Sequence, residues 1–427
     1  MTEKLIKPVR CLRGNISLPG DKSISHRALI LSALAKGESR ITGLSMAEDV
    51  MTTKKCLEEL GVRIRDSAGV FFVEGVGTSG FQKPAKTLDA GNSGTTIRLL
   101  AGALAAQNFT SIIDGDESLR KRPMRRIIEP LELMGAAFES VSFKAPLTIH
   151  GGPLRAIDYA SPVASAQVKS CILIAGLAAK GITRITEPSQ SRDHTERMLQ
   201  EFGATVHYSE GMAAVKGPAM LHAADIHVPA DISAAAFFMV AACLLPESEI
   251  TISNVGMNPT RTGILDAMSS MGAFFLPEEE SVSNREPRAS LTAKYSALYA
   301  AQLGGSLIPR IIDEIPVIAV AATQAKGKTI IRDAGELRVK ESDRITTITE
   351  NLLRMGADVK EIKDGLIIEG PTPLHGAEIE SYGDHRIAMS FAVAGLIADG
   401  ETLIKNSECV DTSFPGFFDL LDSITCD

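Results

Sequence analysis

Residues 19–27, Pro-Gly-Asp-Lys-Ser-Ile-Ser-His-Arg, gather Lys22, Ser23, Ser25, His26 and Arg27 directly after a Pro-Gly turn. The apolar run 28–35 follows at helical spacing, so the polar cluster falls at a helix start. Free backbone N–H groups and the helix dipole favour an anion there, and Lys22 and Arg27 add full charges. Cations at a helix N-terminus oppose the dipole unless an anion lies between them. The stretch therefore reads as an anion site rather than as a basic surface helix.

Similar stretches recur along the chain. Residues 88–98, Leu-Asp-Ala-Gly-Asn-Ser-Gly-Thr-Thr-Ile-Arg, place Gly91, Gly94 and three hydroxyls before an apolar helix, suiting either an anion cradle or an ordinary N-cap. Residues 114–126 carry Arg120, Lys121, Arg122, Arg125 and Arg126 around Pro123. Ser165-Ala166-Gln167 puts a hydroxyl and an amide at another helix start, and Ser191-Arg192-Asp193 adds a cation. In the second half, Asp313 and Glu314 end an apolar segment expected to be a strand. Arg338, Lys340, Glu341, Asp343 and Arg344 share one short loop, and Asp384-His385-Arg386 opens an apolar helix. Each group alone fits a salt-bridge network. Together they supply cations for two anionic ligands and carboxylates for proton transfer.

Other chemistries fit poorly. The eight histidines show no H-E-x-x-H or similar ligand spacing, so no metal is expected. There is no G-x-x-x-x-G-K-[ST], no G-x-S-x-G, and no G-x-G-x-x-G after a strand. A net charge of −8 and the absence of Trp argue against a nucleic-acid partner. The six cysteines form no C-x-x-C pair, which fits a reduced, cytoplasmic protein. Residues 1–10 hold no apolar core of signal-peptide length, and the longest apolar run, 232–245, is too short to span a bilayer.

These residues must be positioned by repeated elements. One unit recurs six times at a spacing of about 70 residues, above the solenoid range. It runs from an apolar helix through a small turn, a β-branched strand and a charged loop to a second helix closed by Gly, as at Gly61, Gly135, Gly203, Gly272 and Gly356. The last copy lacks that Gly. The expected architecture is α/β in two lobes of three units, with a break near 228–232 and two chain crossings. Residues 4–18 are expected to be one strand belonging with the second half.

At this point the motifs resemble a known family. Residues 19–27, Gly91-Asn92-Ser93-Gly94-Thr95-Thr96, Arg122-Pro123-Met124, Ser165-Ala166-Gln167, Asp313-Glu314, 338–344 and Asp384-His385-Arg386 look like 3-phosphoshikimate 1-carboxyvinyltransferases, the EPSP synthases. The resemblance covers nearly the whole chain, in the family's order. It implies the two-lobed enolpyruvyl transferase fold, six βαβαββ units around an interdomain cleft. The lobes would be residues 1–19 with 231–427, and 20–230.

The resemblance also implies a reaction. Shikimate 3-phosphate attacks C2 of phosphoenolpyruvate through its 5-hydroxyl, C3 takes a proton, and the tetrahedral adduct expels phosphate, with no cofactor or metal. Lys22, Gly94, Arg122, Gln167, Arg344 and Arg386 would bind phosphoenolpyruvate. Lys22, Ser23, Arg27, Ser165, Ala166, Gln167, Arg192, Asp313 and Lys340 would bind shikimate 3-phosphate. Asp313 would accept the hydroxyl proton and Glu341 would protonate C3, with Lys22 another candidate. The partners are these small molecules, with no membrane, and the protein is expected to be a monomer. Two like-charged basic lobes would repel when empty and close on the acceptor.

Three departures resemble the glyphosate-tolerant class of the family: Thr95-Thr96-Ile97-Arg98-Leu99, Glu336-Leu337, and Asp411 to Pro415 without a Lys. Gly94 is retained where the most tolerant members carry Ala. Rival readings are the UDP-N-acetylglucosamine enolpyruvyl transferase, whose mobile-loop Cys is missing from 114–126, an RNA 3′-phosphate cyclase relative, and an inactive anion-binding scaffold.

Overall fold

The computed structural model describes residues 2–426, and the chain folds into two compact units. The N-unit comprises Gly20–Val228 and Val282–Glu286. The C-unit takes in the described residues up to Pro19, Pro229–Ser281, and those from Pro287 onward.

Each unit is built from three αβ repeats. In the N-unit these contain α1 (Lys22–Leu34) and α2 (Glu48–Glu59), then α3 (Gly94–Leu104), a short α4 (Glu117–Lys121) and α5 (Arg125–Met134), then α6 (Ala166–Gly176) and α7 (His194–Glu201). In the C-unit they contain α8 (Ile232–Leu244) and α9 (Gly263–Ser270), then α10 (Ile308–Ile311), α11 (Ile315–Gln324) and α12 (Arg344–Arg354), then α13 (His385–Leu396) and α14 (Phe417–Ser423). The leading helices are apolar almost all round, and that composition buries them. In one core α3 packs against α1 and α6, and in the other α8, α11 and α13 pack together. Side chains cap most of these starts. Asp21 accepts from Ile24 N–H, Ser93 from Thr96, Asp231 from Ser233 and Asp384 from Arg386. Gly135 closes α5 at φ 112°, a left-handed conformation that a residue with a Cβ adopts only under strain.

Four repeats share a sheet pattern in which the strand entering the leading helix pairs parallel with the strand leaving it. Leu88–Asp89 thus lies beside Thr110–Asp114, Asp158–Ala160 beside Gly181–Thr186, Gln302–Leu303 beside Gly327–Ile331, and Glu378–Glu380 beside Thr402–Lys405. The other two repeats exchange this strand. Cys11–Ser17 enters α1 but pairs with Glu249–Gly256 in the C-unit. Asp225–His227 enters α8 but pairs with Ala35–Thr42 in the N-unit.

Three expectations need correction. Residues 4–18 form two strands in different sheets, Glu3–Ile6 and Cys11–Ser17. Pro8 has no N–H to continue the ladder, and the next amide, Val9, bonds to Leu396 O instead. The apolar segment before Asp313 is helical over Ile308–Ile311, with Pro309 in a first-turn position where no N–H is needed. An apolar run that short carries no periodicity to separate helix from strand. Finally, the chain crosses between units four times. The hairpin of Phe275–Ser283 and Glu286–Lys294 lends its tip, Val282–Glu286, to the N-unit.

Candidate active site

In the N-unit, the starts of α1, α3 and α6 carry the residues singled out from the sequence. Lys22 is the first residue of α1, and its Nζ lies 2.9 Å from Asp49 Oδ2 at the start of α2. Ser23 sits in the same turn and receives Arg27 Nη1 on its carbonyl at 2.8 Å. Arg27 is buried. Its Nε donates to Thr195 Oγ1 at 2.6 Å and its Nη2 to Ser170 Oγ at 2.7 Å, tying α1 to α7 and α6. Three fixed acceptors leave this guanidinium little freedom to move.

Gly94 opens α3 against two guanidinium groups. A Cβ built there would meet Arg98 Nη1 at 3.0 Å and Arg122 Nη1 at 3.2 Å. Arg122, largely buried just after α4, donates to Asn92 Oδ1 at 2.7 Å. Gln167, in the first turn of α6, accepts from Arg98 Nη1 and donates from Nε2 to Thr95 Oγ1 at 2.9 Å. Ser165 caps α6 and Ala166 is its first residue. Arg192 is half-buried in the loop before α7.

The C-unit gathers the carboxylates. Asp313 Oδ1 lies 3.5 Å from Lys340 Nζ and 3.4 Å from Arg344 Nη1, and its Oδ2 is 4.0 Å from Arg386 Nη2. Glu341 Oε2 is 2.6 Å from Arg344 Nη2. Arg386 Nη1 lies 3.8 Å from the buried Glu314, which also accepts from the Ser233 hydroxyl. Burial alone would lower the pKa of Arg344, but Asp384, Glu341 and Asp313 outweigh it and hold the group charged.

Within the named set, the N-unit has Lys22, Arg27, Arg98, Arg122 and Arg192 against Asp21, Asp49 and Asp193. The C-unit has Lys340, Arg344 and Arg386 against Asp313, Glu314, Glu341 and Asp384. The expectation of two basic lobes is therefore corrected: the C-unit's cations are matched by carboxylates, which suits it to proton transfer as well as anion binding.

Sequence reasoning assigned no site role to Asp49, Thr195, Ser170 or Asp384, which orient the cations, or to Arg98. Arg98 and Asp384 stood inside the quoted motifs, whereas Thr195, on the polar helix α7, and Ser170, on the apolar α6, gave no signal beyond their hydroxyls. Burial pushes the thiols of Cys56 and Cys243 up to about 12, so neither is an ordinary nucleophile. No group of three or more His, Cys, Asp or Glu among the described residues could hold a metal ion. No helix among them is long and apolar enough to cross a membrane.

Comparison with known proteins agrees along the whole chain. The family model described as EPSP synthase (3-phosphoshikimate 1-carboxyvinyltransferase) matches residues 6–421. A 3-phosphoshikimate 1-carboxyvinyltransferase of Desulforamulus reducens is 52% identical over 425 residues, covering 99% of both chains. One from Bacillus thuringiensis strain Al Hakam is 50% identical over 429 residues, covering 100% of both. A solved EPSP synthase from Acinetobacter baumannii superposes with a TM-score of 0.88 at 43% identity, covering 99% of this chain and 98% of that one. A full-length sequence match, the same fold and the cations at three helix starts converge on one conclusion: this chain belongs to the EPSP synthase family.

Proposed function

We propose that the protein transfers the enolpyruvyl group of phosphoenolpyruvate to the 5-hydroxyl of shikimate 3-phosphate, releasing phosphate, as a step toward chorismate and the aromatic amino acids. The observation that carries this reading is the family match across residues 6–421, with every motif residue present in order. The 5-hydroxyl oxygen bonds to C2 and loses its proton, C3 gains one, and a tetrahedral adduct forms. C3 then gives up a proton as the C2–O bond to phosphate breaks. A C–O bond is cleaved and no phosphoryl group moves, so the demands are charge stabilisation, alignment and proton transfer.

Residue roles follow from charge and placement. Arg27, Ser23, Ser165, Ala166, Gln167, Arg192 and Lys340 bind the acceptor. Lys22, Gly94, Arg122, Gln167, Arg344 and Arg386 bind phosphoenolpyruvate, with Lys22 and Gln167 shared. Asp313, flanked by three cations that orient it, takes the hydroxyl proton, and Glu341 serves C3. The protein acts as a cytoplasmic monomer. Sensitivity to glyphosate is reduced, on the strength of Thr95 to Leu99, Glu336-Leu337 and the Lys-less segment at Asp411; tight inhibition competitive with phosphoenolpyruvate would overturn that part.

Phosphate release from phosphoenolpyruvate tests the reading, with either shikimate 3-phosphate or UDP-N-acetylglucosamine as acceptor. Release with shikimate 3-phosphate alone is expected. Release with the sugar nucleotide alone overturns the acceptor assignment.

A further inference from the structure

A buried cluster of charge lies behind the start of α6. Lys169 Nζ is 3.0 Å from Glu187 Oε2, 2.9 Å from Glu196 Oε1 and 3.3 Å from the Ser191 carbonyl oxygen. The Lys169 side chain is 5% exposed, Glu187 1% and Glu196 2%. Glu187 also accepts the Ser165 N–H on Oε1 at 2.8 Å, and the Ser191 hydroxyl lies 2.7–2.8 Å from its two oxygens.

Those bonds have a specific geometry. The N–H of a helix N-cap has no partner within its own helix, and a Glu or Gln three residues on often supplies one. Here that position is Val168, which cannot. Glu187, from beyond the strand Gly181–Thr186, fills the place instead and with its other oxygen holds the residue preceding Arg192. A single carboxylate therefore sets Ser165 at one fixed distance from the Arg192 loop.

A carboxylate beside an anion-binding helix start is electrostatically adverse unless it is neutralised. Lys169 supplies the countercharge. Burial lowers its proton affinity, but the two glutamates outweigh that and keep it charged. Burial also raises the Glu196 carboxyl, and Lys169 only partly opposes the rise. Lys169 thus bridges both carboxylates, at 3.0 Å from Glu187 and 2.9 Å from Glu196.

We propose that Glu187, neutralised by Lys169, is a positioning residue for the acceptor's phosphate group, fixing the spacing between the Ser165–Gln167 helix start and Arg192. The proposal rests on the acceptor assignment above. A cap of purely structural value would lower stability without favouring one substrate over the other. A positioning role falls chiefly on the acceptor, because Gln167 is the one residue of that helix start that also serves phosphoenolpyruvate.

Titration calorimetry with shikimate 3-phosphate, run beside steady-state kinetics in phosphoenolpyruvate, separates these. Glu187→Gln keeps the shape but turns an N–H₂ toward a donor, and is expected to raise the Kd for shikimate 3-phosphate about tenfold or more, the loss of one good buried hydrogen bond. The KM for phosphoenolpyruvate should stay within about threefold. Lys169→Arg, which restores the charge, should bind within about threefold of wild type. Ser191→Ala is the gentler second variant, releasing only the loop, and should weaken the acceptor alone. An unchanged acceptor affinity in folded Glu187→Gln or Ser191→Ala overturns the proposal, as does an equal loss for both substrates. If the wild-type protein itself ignores shikimate 3-phosphate, the acceptor assignment has failed and the proposal falls with it; tight wild-type binding beside an unaffected variant sinks the positioning role alone.

Discussion

Arg344 and Asp384 meet through two bonds, Nε to Oδ2 at 2.8 Å and Nη2 to Oδ1 at 3.1 Å, with both side chains sealed from solvent. Asp384 also caps α13 by accepting the Arg386 N–H, so one carboxylate orients two arginines of the proposed phosphoenolpyruvate site. Asp384→Ala would leave a buried guanidinium short of its best partner. Breaking such a pair from one side costs about 3–5 kcal/mol. Urea unfolding should show a loss in that range, and phosphoenolpyruvate should bind more weakly. A loss below about 1 kcal/mol, the size of an exposed pair, would show that the bond carries little.

At Gly94 the expected effect is steric. A methyl group would press on Arg98 and Arg122 at 3.0 and 3.2 Å, and one or both guanidinium groups must give way. Gly94→Ala should raise the KM for phosphoenolpyruvate by roughly five- to thirtyfold, corresponding to about 1–2 kcal/mol of strain. The KM for shikimate 3-phosphate should change far less, so initial rates with each substrate varied in turn provide the check.

Asp313→Asn removes the proposed base while keeping its shape. Proton transfer by a positioned side chain contributes about 10²–10⁴-fold, so kcat should fall by that order with circular dichroism unchanged. A fall of less than tenfold would move the role to another group, with Glu341→Gln the next variant to assay.

His26 supplies a pH dependence of stability. The ring is fully buried, and burial, with Lys22 and Arg27 adding repulsion, holds its pKa well below 6.5. The native imidazole stays neutral where the unfolded one takes up a proton. Below about pH 6.5 the unfolded state therefore binds more protons and stability falls, by up to about 1.4 kcal/mol per pH unit from this residue. Above that pH neither state is protonated and the effect vanishes. Unfolding free energies of wild type and His26→Gln between about pH 5 and 8 should converge toward the acid end. Parallel curves would show that His26 does not set this slope.

Most of the repeat organisation was legible in the sequence, because capped apolar helices and closing glycines recur at one spacing. Lys22, Arg344 and Arg386 were legible for the same reason: each sits in the first turn of a helix, where charge next to apolar sequence stands out. The groups that hold them were not. Thr195 and Ser170 bond to Arg27 from 168 and 143 residues away, and nothing local in a lone hydroxyl announces a distant partner. The segment before Asp313 was misread because Ile308, Ile311 and Ile312 make an apolar run too short to show a period. The strand break at Pro8, by contrast, was open to prediction from the missing N–H alone.

The exchanged strands give the chain a timetable. During synthesis Cys11–Ser17 emerges more than 200 residues before its parallel partner, Glu249–Gly256. The N-unit's first sheet is likewise completed on that side only when Asp225–His227 arrives. Cys11–Ser17 must therefore wait without its sheet partners while the N-unit is made downstream of it. The charged and polar residues Arg13, Asn15 and Ser17, alternating with Leu12 and Ile16, give that waiting edge a soluble face.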